Sequence, residues 1–328
     1  MSSRRRLEAL EGYLFLLPTL IGFIVFFAIP VLLSLYYSLT NYDLFTPEKW
    51  VGLSNYSDVI GVKIVPQAYE QMLSTGHSWL EALGAVFQPN DEVFWTALHN
   101  TILYALGVLL LSVIPAFLLA WLLNSRLPGM TVFRGLFYIP VVASVVGVSL
   151  VWMWVYQRES GLINYLIEVP FRLFRLSLPE PIGWLTDSNY ALLSLIIMTS
   201  WATLGYDMVI FLAALQGIPG HLFEAAKVDG ANMVDVLLRI IVPMLTPTIF
   251  FVVVTNTIAV LQIFAEPYIL TQGGPANATI TLVYYLYQKG FQRFQMGYGA
   301  SVAWITFGII FIITVIQFRL SNRWVYEE

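Results

Sequence analysis

Apolar residues in this chain run on for long stretches instead of alternating with polar ones. Unbroken runs of roughly 20 residues suit a helix crossing hydrocarbon, whereas a lipid-facing barrel strand alternates with period two. Six stretches are long enough: Tyr13 to Tyr37, His99 to Leu123, Val132 to Tyr156, Tyr190 to Leu215, Thr248 to Leu270 and Ala300 to Phe318. The pattern therefore predicts an all-α membrane protein with six transmembrane helices. Between the first two runs, residues 44–94 form a connection far longer than two adjacent helices need. Within it, Ala68, Met72, Trp79, Leu80, Leu83 and Phe87 recur at mixed three and four spacing, which predicts a short amphipathic helix over Val65 to Phe87. Such a helix serves equally as a docking surface for a soluble partner or as a cover for the bundle edge.

Composition agrees with lipid as the solvent. With 58% hydrophobic and 11% charged residues, the chain carries more apolar surface than one water-soluble core of its length could hide. Arg4, Arg5, Arg6, Arg126, Arg134, Lys227, Arg239, Arg319 and Arg323 fall in one set of connecting segments. The other set, together about twice as long, holds Lys49, Lys63, Arg158, Arg172, Arg175, Lys289 and Arg293 among many carboxylates, so both termini are expected in the cytoplasm. Residues 1–12 then form a cytoplasmic N-terminus, and 13–328 one transmembrane domain. Arg4 to Arg6 ahead of an apolar run resemble a secretory signal, but the run is long and lacks a small-x-small cleavage site; it reads as a retained anchor. The net charge of −4 gives no support to a nucleic-acid partner.

Catalytic chemistry finds little footing. There is no cysteine, and His77, His99 and His221 lie far apart without metal-ligand spacing. No GxxxxGK[ST] phosphate loop occurs, so any nucleotide hydrolysis belongs to another protein, and no cofactor is expected on this chain. Polar residues interrupt two apolar runs: Thr199, Trp201, Thr203, Gly205, Tyr206 and Asp207 in the fourth, and Thr255, Asn256, Thr257, Gln262 and Glu266 in the fifth. Facing lipid they would be costly, so they are expected to line a polar path or to bond between helices. Asp207 and Asn256 could also serve an ion-coupled secondary transporter of a small polar solute.

Residues 216–240 carry the most specific pattern. Pro219 suits a helix start, Glu224, Ala225 and Ala226 favour helix, and Leu222, Phe223 and Ala226 can share a face. Gly230 permits a sharp turn, Asn232 can cap a second helix, and Pro243 and Pro247 come after it. Taken alone, this segment is a docking element or an interfacial amphipathic loop. The run Glu224-Ala225-Ala226, two residues, Asp229-Gly230-Ala231, then Ile240, Val242, Pro243 and Pro247 resembles the cytoplasmic EAA signature of permease subunits in binding-protein-dependent ABC importers. Closest in kind are the carbohydrate-type subunits of the maltose and glycerol-phosphate permeases. Further matches are Asn41-Tyr42-Asp43 with Val51 to Tyr56, the stretch Phe94 to Thr101, and Thr271, Gly273, Gly274 and Pro275.

The resemblance implies the type I importer permease fold in a bacterial or archaeal cytoplasmic membrane. It also implies partners: a second homologous permease, two copies of a cytoplasmic ATPase holding ATP and Mg, and an extracytoplasmic solute-binding protein. Glu224, Ala225, Ala226, Asp229, Gly230 and Ala231 would then dock on the ATPase. Thr203, Tyr206, Asn256 and Gln262 fall at or beside positions that contact sugar in the maltose-type relatives, with Asp207 and Glu266 as further path candidates. The enlarged segment 44–94 departs from the family pattern.

Overall fold

The computed structural model describes residues 3–76, 78–79, 86–125, 128–174, 176–178 and 180–325, with side chains from residue 11 onward. Among these, Glu11–Ser38, Glu92–Leu123, Ser188–Gly217, Met233–Leu270 and Met296–Ser321 are long and apolar enough to cross a membrane. Each contains one of the expected apolar runs. The remaining run, Val132 to Tyr156, is expected as one span but folds as two helices bent by 102°. The chain forms two compact units, residues 1–91 with 286–306, and 92–285 with 307–328.

In the first unit, α1 (Ser3–Phe23) passes through a π turn at Ile24–Ala28 into α2 (Ile29–Ser38). Its apolar window buries none of its residues within the chain, as expected of a helix whose environment is lipid or a partner. The turn after α2 is tied by Asn55, whose Nδ2 donates to the carbonyls of Ser38 and Thr40 at 2.8 Å each. Those carbonyls would otherwise be left over at a helix end. Asn55 sits on α3 (Ser54–Ile60), followed by β1 (Val62–Ile64), α4 (Pro66–Ser74) and β2 (Phe87–Pro89). β1 and β2 pair antiparallel with Lys63 opposite Gln88. Of the helix expected over Val65 to Phe87, α4 forms the first part, whereas Phe87 pairs opposite Ile64 on β2 instead; His77 and residues 80–85 lie outside the described residues.

The second unit is built on α5 (Glu92–Leu123) packed along α9 (Ser188–Gly217). Between them in sequence come α6 (Met130–Val142), α7 (Val145–Val155) and α8 (Leu162–Leu173). The bend between α6 and α7 has a local cause: Ala143 and Ser144 are extended, at ψ 145° and 133°, just after Pro140. Asp187 caps α9 by accepting from the Asn189 backbone N–H. Next in the chain are α10 (Gly220–Val228), α11 (Met233–Val236), a π turn at Leu237–Ile241, α12 (Val242–Leu261), α13 (Ala265–Leu270) and α14 (Leu282–Tyr287). A further π turn at Gln288–Gln292 precedes α15 (Met296–Ser321).

Two apolar cores lie along the α5–α9 pair. One gathers Tyr104, Val108, Leu195, Met198 and Val260, the other Val113, Ala116, Met208, Phe211, Leu245 and Val252. Two sequence motifs meet at one end: Asn100 Nδ2 donates to the carbonyls of Asn277 (2.9 Å) and Ile280 (3.1 Å), and Thr101 Oγ1 accepts from the Leu282 N–H at 3.0 Å. The stretch from Phe94 to Thr101 therefore clamps the loop that begins at Thr271.

Candidate functional site

Between the two cores lies a polar layer. Asp207, fully buried on α9, accepts from Ser112 Oγ on α5 and from Asn256 Nδ2 on α12, each at 2.8 Å. The Thr203 hydroxyl lies 3.0 Å from both Ser112 Oγ and the Thr199 carbonyl, and the Tyr104 hydroxyl donates to Thr199 Oγ1 at 2.7 Å. These bonds join α5, α9 and α12 where water is scarce, and an unpaired polar group there would be costly. No described residue forms an ion pair with Asp207.

Beside this layer opens a pocket of about 460 Å³. Its polar lining is Thr203, Tyr206, Thr255, Asn256 and Glu266; Pro140, Ala143, Val145, Met198 and Ala202 are among its apolar walls. Such a mixture of apolar wall and a few convergent polar groups is the usual make-up of a small-molecule site. The α6–α7 corner supplies one wall, while the interruption after α12 at Gln262–Phe264 brings Glu266 to another. Of the expected path residues, the structure gathers Thr203, Tyr206, Asn256 and Glu266 on this pocket. Asp207 stands behind it, and Gln262 is exposed, outside the lining, donating to the Ile258 carbonyl at 3.0 Å. Sequence reasoning does not single out Ser112 or Tyr104. Their spacing of eight puts them on one helix face, but each is a single polar interruption in an apolar run.

The second candidate surface is α10 with the turn after it. Leu222 and Phe223 pack on the apolar core, Ala226 is buried, and Glu224 and Ala225 are exposed. α10 ends in a Schellman motif: the Ala231 N–H reaches the Ala226 carbonyl at 2.9 Å and the Gly230 N–H reaches that of Lys227 at 3.2 Å. Gly230 takes φ +72°, which a residue without Cβ adopts at little cost. Asn232 then caps α11, accepting from the N–H groups of Val234 (2.8 Å) and Asp235 (3.0 Å). A hollow of about 450 Å³ between α10 and this turn is lined by Ala225, Ala226, Asp229, Gly230 and Ala231 together with Asp235 and Arg239. Glu224 is outside that lining. On either side of the turn, Val228 is 87% exposed and Met233 68%, apolar side chains left largely uncovered by the described residues.

Residues 105–326, which contain both surfaces, match the model of the family described as binding-protein-dependent transport system inner membrane component. The chain belongs to this family. It is a multi-pass transporter component, a permease whose ATPase is a separate subunit, and not itself an enzyme. The permease is 36% identical over 326 residues to the probable ABC transporter permease protein YesP of Bacillus subtilis strain 168, covering 98% of this chain and 94% of that one. It is 35% identical over 239 residues to the lactose transport system permease protein LacF of Rhizobium radiobacter, covering 71% of this chain and 78% of LacF. In fold it resembles a chain of a bacterial ABC transporter involved in the import of the acidic polysaccharide alginate, with a TM-score of 0.75 at 20% identity over 98% of both chains.

Proposed function

We propose that the permease forms half of the translocation path for a sugar or related hydroxylated solute, and that α10 couples this path to ATP hydrolysis by its ATPase partners. The supporting observation is connectivity. α9 and α12, which carry Thr203, Tyr206 and Asn256 on the pocket, are joined by the segment that presents α10. A force applied at α10 thus acts on two pocket walls at once.

In this reading Glu224, Ala225, Ala226, Asp229, Gly230 and Ala231 meet a groove of the ATPase, which holds ATP and Mg while this chain binds no cofactor. Two ATPase copies act below this subunit and a second homologous permease, and a solute-binding protein delivers from the outer side. Both termini and residues 216–240 face the cytoplasm, and residues 44–94 face outward, in keeping with the distribution of Lys and Arg. The membrane is a bacterial or archaeal cytoplasmic membrane. The sugar class is supported by the name of LacF and by the pocket's hydroxyl and amide groups.

The test is uptake by vesicles holding the whole transporter. With ATP supplied, uptake of sugar probes is expected to persist when ion gradients are collapsed. Uptake that follows the gradient and ignores ATP would reject the proposal.

A further inference from the structure

Asn256 presents its amide to the pocket in one orientation only. Its Nδ2 has two hydrogens, and both are engaged: one on Asp207 Oδ1 at 2.8 Å, the other on the Val252 carbonyl at 3.1 Å. A main-chain carbonyl accepts and never donates, and the nearer carboxylate oxygen accepts the other hydrogen. Turning the amide would set its oxygen against both acceptors. No described residue donates to the Asn256 Oδ1 atom, and Asn256 lines the pocket.

Asp207 itself does not reach that space. It has no exposed surface, is absent from the pocket wall, and its two oxygens are occupied by Ser112 and Asn256. Thr255, beside Asn256 on the pocket wall, donates its hydroxyl hydrogen to the carbonyls of Phe251 (2.8 Å) or Val252 (3.2 Å), which leaves its oxygen free to accept.

We infer that Asp207 is a positioning residue that fixes the Asn256 amide with its oxygen toward the pocket, making this subsite an acceptor for a hydroxyl donor of the solute. The inference rests on the solute class proposed above. It assigns Asp207 an indirect role, because both hydrogen bonds to its carboxylate come from other side chains.

A double-mutant cycle separates positioning from contact and from mere packing. Lactose, maltose and glycerol 3-phosphate serve as probes of ATP-driven uptake by the complete transporter in vesicles, and the best transported one is used for the cycle. In Asp207→Asn, residue 207 offers either an oxygen or an NH2 group to its neighbour, so only the longer bond to the Val252 carbonyl still holds the Asn256 amide one way. KM is expected to rise about fivefold, the worth of one ordinary hydrogen bond, with kcat held within about twofold. Asn256→Ala is expected to raise KM at least as much, and the double variant no further than Asn256→Ala alone.

Multiplying KM effects in the double variant would overturn the inference, since Asp207 would then act without Asn256. A fall in kcat at unchanged KM in Asp207→Asn would do so too, as it marks a structural role. Absence of ATP-driven uptake of every probe by the unmodified transporter defeats the proposed solute class instead, and with it the subsite.

Discussion

At the scale of single residues, one backbone angle at Gly230 shapes the surface proposed to couple the permease to its ATPase. The φ of +72° at this glycine closes the Schellman motif, yet a Cβ built there meets nothing within 4 Å. The cost of Gly230→Ala is therefore backbone strain alone, about 1 kcal/mol, too little to prevent a large helical protein from inserting. A branched side chain adds to the strain and bears on the hollow lined by Ala225 and Asp229. Gly230→Val is expected to reach the membrane at near-normal levels while ATP-coupled uptake drops at least about tenfold, and Gly230→Asn, which tolerates this region, to keep most activity. Immunoblots of membranes beside uptake rates check this.

Asp43 offers a pH prediction outside the spans. Its carboxylate accepts from the Thr46 N–H (2.8 Å), the Thr46 hydroxyl (2.9 Å) and the Phe45 N–H (3.1 Å). The Thr46 backbone bond first, then its hydroxyl, hold the Asp43 carboxyl below its usual value. A depressed acid stabilises the turn above its unfolded pKa and loses that contribution as pH falls through the folded value. The turn at residues 43–46 is expected to stay ordered at neutral pH and to loosen only in acid below the usual aspartate range. Asp43→Asn should remove this acid dependence, as read by limited proteolysis across pH.

At the scale of elements, long helices were legible because lipid demands a run of apolar residues, and such a run is written directly in sequence. The corner between α6 and α7 was not. Val141, Val142, Ala143, Val145 and Val146 continue the apolar run through it, and Pro140 alone hints at a break. The candidate site was half legible for a related reason. Thr203, Asp207 and Asn256 stand out as polar positions, but which oxygen meets which nitrogen depends on the facing helix and on Ser112, one serine in an apolar stretch. Helix contact also separates two glycines that look alike in sequence. A Cβ on Gly205 would lie 2.0 Å from the Phe137 carbonyl oxygen and 3.1 Å from the Tyr138 Cα, whereas one on Gly107 meets the Ile196 side chain at 2.8 Å. Backbone cannot turn aside as a side chain can. Gly205→Ala is expected to force α6 off α9 and destabilise by about 1–3 kcal/mol, the usual cost of overpacking, with Gly107→Ala less harmful. Melting temperatures of the two variants in detergent test the order.

At the scale of the whole molecule, the proposed coupling depends on which side of the bilayer α10 occupies. Lys227, Arg239, Arg319 and Arg323 fall in segments assigned to one side, while acids such as Asp43, Glu48 and Asp58 fall in the segment before α5. In the proposed orientation, which follows the rule that positive residues stay inside, α10 lies in the cytoplasm. There the exposed apolar residues Val228 and Met233 would be available to the proposed ATPase partner. The chain contains no cysteine, so a single introduced thiol reports its own position without background. Leu53 is 70% exposed and Val228 87%, which makes both sites reachable by a thiol reagent. In intact cells stripped of any outer membrane, Leu53→Cys is expected to react with a membrane-impermeant maleimide, and Val228→Cys only after the membrane is opened. Assembly with the ATPase should then shield Val228→Cys and leave Leu53→Cys unchanged. Labelling of Val228→Cys from outside would put α10 beyond the reach of any ATP-hydrolysing partner and remove the basis for the proposed coupling.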